Sequence, residues 1–218
     1  MNSASGSTPA LVQSASATET AASTSLTGSF PTATKSGDLL VLSASESTGA
    51  TNHLTSITDS AGNQWIRAGA TDVSGHNSDG ELWYSANAAP ATAITAHVAS
   101  AASIAVEVQE FSGVATSSAL DTVTGTSNIG TSAASGSTAV STAKELVVGF
   151  IAGHSNAQAI TLTSPGYSNQ AQRNTTGTVS SIVMGYQVAG APGSQSYAGT
   201  FGSAMYWAAG VAVFRPAG

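Results

Sequence analysis

The densest group of polar side chains lies in "SGHNSDGE", which contains His76, Asn77, Asp79 and Glu81. Residues two apart in a β-strand point to the same face of a sheet, so Asp79 and Glu81 would present their carboxylates together. With Asn77 or a carbonyl group they could hold Ca²⁺, which takes oxygen ligands. The segment lacks the acidic 1-3-5 spacing of a calcium loop, and a polar hairpin loop leading into a strand explains the same residues. We therefore treat Asn77, Asp79 and Glu81 as candidate ligand-binding residues and predict no metal, with Asp79 and Glu81 as the pair that would hold Ca²⁺.

Trp83 is the aromatic residue best placed to stack on a sugar ring. Its neighbours Leu82 and Tyr84 are expected on the opposite face of the strand, so the indole ring would lie on the other face, apart from both of them. Aromatic faces in shallow pockets commonly bind ligands in this way. The alternative is that Trp83 and the other large aromatic residues form the core of a chain that is poor in large side chains.

The residue types needed for catalysis occur without a spacing that would bring them together. Glu107 and Glu110 are three apart on a predicted strand and so face opposite ways, whereas a glycosidase needs two convergent carboxyl groups. His154 is followed by Ser155, but neighbours on a strand point apart, and no G-x-S-x-G motif occurs. We predict no catalytic residue, no enzymatic activity and no cofactor.

The elements that would position these residues are strands, because the apolar residues recur with a period of two. In "IAVEVQEF", the side chains of Ile104, Val106 and Val108 share one face. The segments "DLLVLSA", "ELVVGFIA" and "YWAAGVAVF" are apolar on both faces, as in strands that are buried in a sandwich. Turn signals separate the strands, among them "DSAGN", where Asp59 caps a turn and Gly62 supplies a positive φ. We predict an all-β fold of about ten strands.

An internal repeat relates residues 38–113 to 145–215. "GDLLVLSA" matches "KELVVGFIA", "LWYSANAAP" matches "VMGYQVAGAP", and "ASIAVEVQEF" matches "YWAAGVAVF", in the same order and at nearly equal spacing. The Tyr-to-Pro stretch that occurs in both halves is therefore a strand and its exit turn. Two such halves would pack face to face as one antiparallel β-sandwich, which we expect to be jelly-roll-like.

These patterns suggest a domain organisation. Residues 1–30 are predicted to be an N-terminal arm or edge strand, and 31–218 to be a single β-sandwich domain with pseudo-repeats at about 35–113 and 142–216. An arm of this kind could add a strand to the edge of another subunit. Two half-size domains remain the alternative to one sandwich.

The composition excludes several classes of protein. Five basic residues against eleven acidic ones give a net charge of −6, and the basic residues are scattered singly, so we expect no nucleic-acid partner. No apolar run approaches the ~18 residues of a membrane span, so we expect no membrane insertion. Cysteine is absent, which excludes disulfides. A hydrophobic fraction of 41% predicts a folded chain.

The first residues, "MNSASGSTPALVQ", have neither a basic segment nor an apolar segment of a signal peptide. Two interpretations remain open. A secretion signal was removed and Met1 was added for expression, or Met1 is native and the protein leaves its host by lysis, as phage virion proteins do.

A set of short segments resembles a known group of modules. "GDLLV", "TDSAGNQW", "LWYSANAAP", "EFSGV", "ELVVG" and "VAVFRP" resemble β-sandwich modules of secreted bacterial surface proteins and of phage minor-tail, fibre or capsid-decoration proteins. The resemblance covers roughly residues 35–216 and lies in scaffold positions, so it carries over no catalytic residue. It implies an exported or virion-surface module without enzymatic activity.

From the sequence we therefore expect a structural or adhesive module that acts by self-assembly or display. Its location would be extracellular, on the cell surface or on a virion, and its partners would be copies of itself or other surface proteins. The alternative is a lectin-like module that binds glycans through Trp83.

Overall fold

The structure, a computed structural model, describes residues 6–47, 53–72, 79–154, 158–168, 171–175 and 180–218. Every regular element in these ranges is a β-strand, and together they form two antiparallel sheets that pack against each other. The predicted all-β sandwich is confirmed. Fourteen strands are described, and four of them have only two or three residues, too few for an alternating pattern to be recognised in the sequence.

The first sheet is built from the N-terminal half of the chain. Its strands run in the order β1-β6-β2-β5-β4, and β3 also pairs with β6. The strands of this sheet are β1 (Ala10–Ser29), β2 (Leu39–Glu46), β3 (Leu54–Asp59), β4 (Ile66–Asp72), β5 (Asp79–Ser85) and β6 (Ala93–Ser112).

The second sheet is built from the C-terminal half. The remaining strands of the chain are β7 (Leu120–Ala134), β8 (Thr138–Val140), β9 (Leu146–His154), β10 (Thr161–Leu162), β11 (Arg173–Asn174), β12 (Ser180–Val188), β13 (Gly193–Gln195) and β14 (Ala198–Phe214). The order in the sheet is β10-β14-β9-β12-β11, and β7 also pairs with β14. Strands β8 and β13 form a separate two-stranded ribbon.

The two sheets repeat the same arrangement of strands. Leu39 lies opposite Phe111 in the first sheet, and Leu146 lies opposite Phe214 in the second. The strands that correspond in position are β1 and β7, β2 and β9, β3 and β10, β4 and β11, β5 and β12, and β6 and β14. Each sheet thus takes its strands from one half of the chain. This strand order does not confirm the expected jelly-roll connectivity.

A central core joins the two sheets. Residues from both halves contribute to it, with Leu82 and Phe111 from the first sheet and Phe150 and Phe214 from the second among its buried members. Two equivalent aromatic pairs cross this core. The ring centroids of Tyr84 and Phe214 are 5.5 Å apart, and those of Phe111 and its partner Tyr186 are 5.1 Å apart, both edge to face. The repeated Tyr-to-Pro segment therefore contributes to the architecture.

Each sheet also encloses a core of its own on the face that points away from the partner sheet. In the first half, Leu54 and Ile57 of β3 belong to the same buried cluster as Leu42 and Trp83. This is possible because the 20-residue strand β6 changes neighbours, pairing with β3 in its first part and with β2 in its second. The face of β5 that carries Trp83 is therefore covered by protein.

The N-terminal segment is part of the first sheet. Strand β1 runs antiparallel to β6 from Ala10 opposite Ser112 to Ser29 opposite Ala93, with three irregularities in the register. It lies at the edge of the sheet, and it pairs with its own chain. Strand β7 has the equivalent place beside β14.

The two ends of the described chain lie side by side. A Cβ atom added to Gly6 would lie 2.6 Å from the carbonyl oxygen of Ala217. The Nζ atom of Lys144 donates a hydrogen bond of 3.1 Å to the carbonyl oxygen of Gly6, and the backbone amide of Ala217 donates one of 2.9 Å to Gly113.

Candidate carboxylate centre

Asp79 and Glu81 lie on strand β5 and are both buried, with exposed fractions of 1% and 0%. They point to the face of β5 that carries Trp83, which confirms that the two carboxylates share a face. The other predicted member of this group, Asn77, lies outside the described residues, as does His76.

A third carboxylate, that of Glu46, completes the cluster. Glu46 ends strand β2 and lies opposite Asp79 in the register of the sheet. One side-chain oxygen from each of Glu46, Asp79 and Glu81 lies within 4.8 Å of the others. Sequence reasoning missed Glu46, although it continues the alternation of Leu40, Leu42 and Ala44 and so had to face the same core.

Three donors hold the carboxylate of Glu81. The backbone amide of Leu54 donates a 2.9 Å hydrogen bond to Oε1. Oε2 accepts hydrogen bonds of 2.7 Å from Nε of Arg67 and 2.8 Å from Nε1 of Trp83. Arg67 also donates through Nη2 to the carbonyl oxygen of Leu54. These contacts fix the position of the Glu81 side chain between β3, β4 and β5.

Asp79 and Glu46 have very different surroundings. Oδ2 of Asp79 accepts a 3.0 Å hydrogen bond from the backbone amide of His53. Neither side-chain oxygen of Glu46 accepts a hydrogen bond from another described residue, and the side chain is completely buried. Burial and then the charges of Asp79 and Glu81 raise the pKa of Glu46 well above its usual value, opposed by its own backbone amide and by Arg67.

His53 lies beside the cluster and is 3% exposed. Burial lowers the pKa of its imidazole, and the charge of Glu81 opposes that shift. The ring therefore stays neutral at neutral pH, which leaves Arg67 as the cation of this cluster among the described residues.

The indole ring of Trp83 does not offer a sugar-binding face. It is 7% exposed, it belongs to the core of the first half, and the guanidinium carbon of Arg67 lies 4.7 Å from the ring centroid. The exposed Trp83 ring that the glycan-binding alternative requires is therefore not observed, because β3 and Arg67 cover the face opposite the central core. The other large aromatic residues are buried or half-buried: Trp65, Trp207, Tyr84, Tyr167 and Tyr206.

A second polar contact lies between the two sheets. Oγ of Ser45 and Nε2 of His154 are 3.1 Å apart, although the two residues are remote in sequence. Ser45 is 0% exposed and His154 is 2% exposed, so the pair lies inside the sandwich. The sequence placed Ser155 beside His154, but Ser155 lies outside the described residues.

Glu107 and Glu110 point to opposite faces of β6, as their spacing predicts. Oε1 of Glu110 accepts a 2.6 Å hydrogen bond from the backbone amide of Lys35, and Oε2 accepts one of 2.7 Å from Gln13. Glu107 accepts a 3.1 Å hydrogen bond from Gln109. The two carboxylates therefore do not form a glycosidase pair.

The expected turn at Asp59 is confirmed. Oδ1 of Asp59 accepts hydrogen bonds from the backbone amides of Ala61 and Asn63 at 2.9 and 3.1 Å. Oδ2 accepts one of 2.8 Å from Nε1 of Trp65, and Gly62 has a φ of 74°. These contacts make Asp59 a structural residue that joins β3 to β4.

Comparison with protein-family models and with curated protein sequences finds no match for this chain. Within the described ranges there is no helix of the length and hydrophobicity that crossing a membrane requires.

Proposed function

We propose that this protein is a non-enzymatic structural module that acts by self-assembly, displayed on a virion or outside the cell. The observation that carries the proposal is the outer edge of β1. This strand has 20 residues and pairs on one side with β6, and no second strand pairs with it in the part of the chain that the structure describes. A row of backbone amides and carbonyls is therefore available along that edge.

The edge is long and lacks lysine and proline, although three irregularities interrupt its register. Monomeric proteins protect such edges with lysine, proline or very short strands. From Ala10 to Ser29 the strand contains one charged residue, Glu19, and no proline. Its side chains are mainly Ala, Ser and Thr, of which Thr favours the strand conformation.

A second copy of the chain is the occupant that fits this edge. Two β1 strands that pair antiparallel around a two-fold axis would join the first sheets of two copies into one continuous sheet. Two-fold symmetry is the commonest symmetry of soluble oligomers. The equivalent edge of β7 is less accessible because strand β4 lies against it. A Cβ atom on Gly69 would lie 3.1 Å from Cγ2 of Val123.

The absence of enzymatic activity in this proposal is supported by the burial of the reactive groups. Ser45, Glu46 and Glu81 are each 0% exposed, and His154 is 2% exposed. Such groups lie below the reach of a substrate from solution. The glycan-binding alternative needed an exposed Trp83 ring, and no observation now favours it.

Light scattering on size-separated protein tests the proposal. The wild-type chain should form a dimer or a larger defined oligomer whose mass rises with concentration. The double substitution Thr18→Lys and Ala22→Lys places positive charges on exposed positions of β1 and should weaken association by roughly tenfold or more, because like charges would meet across the new pair.

The matched control carries the same added charge away from strand edges. Ala61→Lys and Ala143→Lys lie on exposed turns and should leave the oligomer unchanged. A wild-type chain that is monomeric at every concentration, or equal loss of association in both double variants, would rule out assembly through β1.

A further inference from the structure

The three carboxyl groups of the centre are crowded together inside the first half. Glu46, Asp79 and Glu81 are all buried, and Arg67 is the cation that pairs with them, through Glu81. Uncompensated buried charges are strongly unfavourable unless a partner or a metal ion accompanies them.

The second half of the molecule shows that the fold does not need these carboxylates. By strand register, Gly153 occupies the position that is equivalent to Glu46. In the same way, Ser181 is equivalent to Asp79, and Val183 is equivalent to Glu81. A Cβ atom on Gly153 would lie 2.2 Å from Cε of Met205, so a methionine side chain fills the space. The same position in the same fold is therefore packed with small and apolar groups.

Glu46 is the strongest sign of a ligand. It is 0% exposed, and both of its oxygens lack a hydrogen-bond partner among the other described residues. One of them lies within 4.8 Å of oxygens from Asp79 and Glu81. Buried polar groups in native proteins nearly always have a partner, so this carboxylate is placed to bind something that the described residues do not supply.

We propose that Glu46, Asp79 and Glu81 bind one divalent cation, and that this cation is Ca²⁺. Ca²⁺ binds carboxylate oxygens at about 2.3–2.6 Å, so oxygens on opposite sides of the ion lie roughly 5 Å apart. The observed limit of 4.8 Å agrees with that spacing. The negative charge of a carboxylate cluster suits a doubly charged cation. Mg²⁺ suits the site less well, because it keeps several water molecules and requires a near-ideal octahedron.

Terbium luminescence gives a direct test on the full-length protein after dialysis against a chelator. Tb³⁺ takes the same oxygen ligands, and excited tryptophan transfers energy to it at short range. Nε1 of Trp83 is 2.8 Å from Oε2 of Glu81, so Tb³⁺ in the site should give strong emission on tryptophan excitation. Ca²⁺ should displace it, and an equal concentration of Mg²⁺ should not.

Thermal unfolding provides a second readout that does not depend on Tb³⁺. Ca²⁺ at a hundredfold excess over its Kd should raise the Tm of the wild-type protein by about 5 °C or more relative to chelator. In Glu46→Gln both the Tb³⁺ emission and the Ca²⁺-dependent Tm shift should be lost. The matched control, Glu107→Gln, changes a buried carboxylate outside the centre and should keep both.

Clear outcomes would overturn the proposal. The first is a wild-type protein with the same Tm in Ca²⁺ and in chelator. The second is a Glu46→Gln variant that keeps the full response. The third is displacement of Tb³⁺ by Mg²⁺ that is as effective as displacement by Ca²⁺. If Glu46→Gln does not fold, Asp79→Asn takes its place. The comparison of wild type in Ca²⁺ and in chelator needs no variant.

Discussion

Glu107 is a buried carboxyl group whose ionisation works against folding. Burial raises the pKa of Glu107 to about 7, and the hydrogen bond from Gln109 and the charge of Arg173 oppose the shift. Burial, with contributions from neighbouring Glu110, likewise raises the pKa of Asp38 to about 6.

The raised pKa of Glu107 predicts a pH-dependent stability. Between pH 4.5 and about 7 the folded state keeps a proton on Glu107 that the unfolded state has released. The contribution of this group to the free energy of unfolding is therefore full below pH 4.5 and falls by about 3 kcal/mol as the pH rises through 7. Glu107→Gln should remove this loss, so that the variant gains stability over wild type as the pH rises.

Urea denaturation of both proteins at about pH 4.5 and about pH 8 measures the effect. The quantity to compare between the two pH values is the difference in free energy of unfolding between Glu107→Gln and wild type. Glu19→Gln on β1 makes the same change of charge at a site that is not buried and should retain the pH dependence of the wild type. A Glu107→Gln variant whose stability relative to wild type is the same at both pH values would contradict the prediction.

At the scale of elements, strand β1 is expected to be essential for the stability of the first half. Ala15, Ala17 and Leu26 of β1 pack against the core of that half, and the strand pairs with β6 over nearly its whole length. A chain that begins at Thr27 should therefore lose several kcal/mol of stability, because β6 loses its neighbour and the core is exposed to water. Circular dichroism during thermal unfolding measures this. A shortened chain with an unchanged Tm would mean that β1 contributes little.

Strands whose side chains alternate or are wholly apolar could be predicted from the sequence. Buried segments such as "DLLVLSA" and "ELVVGFIA" indicate β2 and β9, and the matching spacing of Tyr84 and Tyr186 indicates the equivalence of the halves. Strands β1 and β7 could not be recognised as parts of the repeat. Their Ser, Thr and Ala residues show little alternation, and their strand conformation depends on pairing with β6 and β14.

The candidate site was predictable within one strand only. The two-residue spacing of Asp79 and Glu81 places them on one face of β5, as observed. The register that sets Glu46 opposite Asp79 depends on how β2 pairs with β5, and no local pattern specifies that pairing. The burial of Trp83 agrees with the alternative in which the large aromatic residues form the core, and the cover comes from β3, which pairs with the first part of β6.

For the molecule as a whole, the central core predicts that the two halves depend on each other. Leu82 and Phe111 on one side and Phe150 and Phe214 on the other would all be exposed if the halves were separated. Residues 6–113 expressed alone should be aggregated or loosely packed and should bind a hydrophobic dye. Co-expression with residues 114–218 should restore a folded complex, and the full chain should unfold in one calorimetric transition.

Independent folding of either half with a cooperative transition of its own would contradict this expectation. It would favour two half-size domains over one sandwich.

The closeness of Gly6 to Ala217 bears on how the order of the chain could be rearranged. A short linker could join these two positions, and the chain could then be opened between the halves, near residues 114–119, as a circular permutant. In that molecule β7–β14 would precede β1–β6. Because the two halves have the same strand order, the permuted chain would follow the same path through space as the original one, with the halves exchanged. The fold thus distinguishes its first half from its second by side chains, chiefly the carboxylates of Glu46, Asp79 and Glu81, more than by topology.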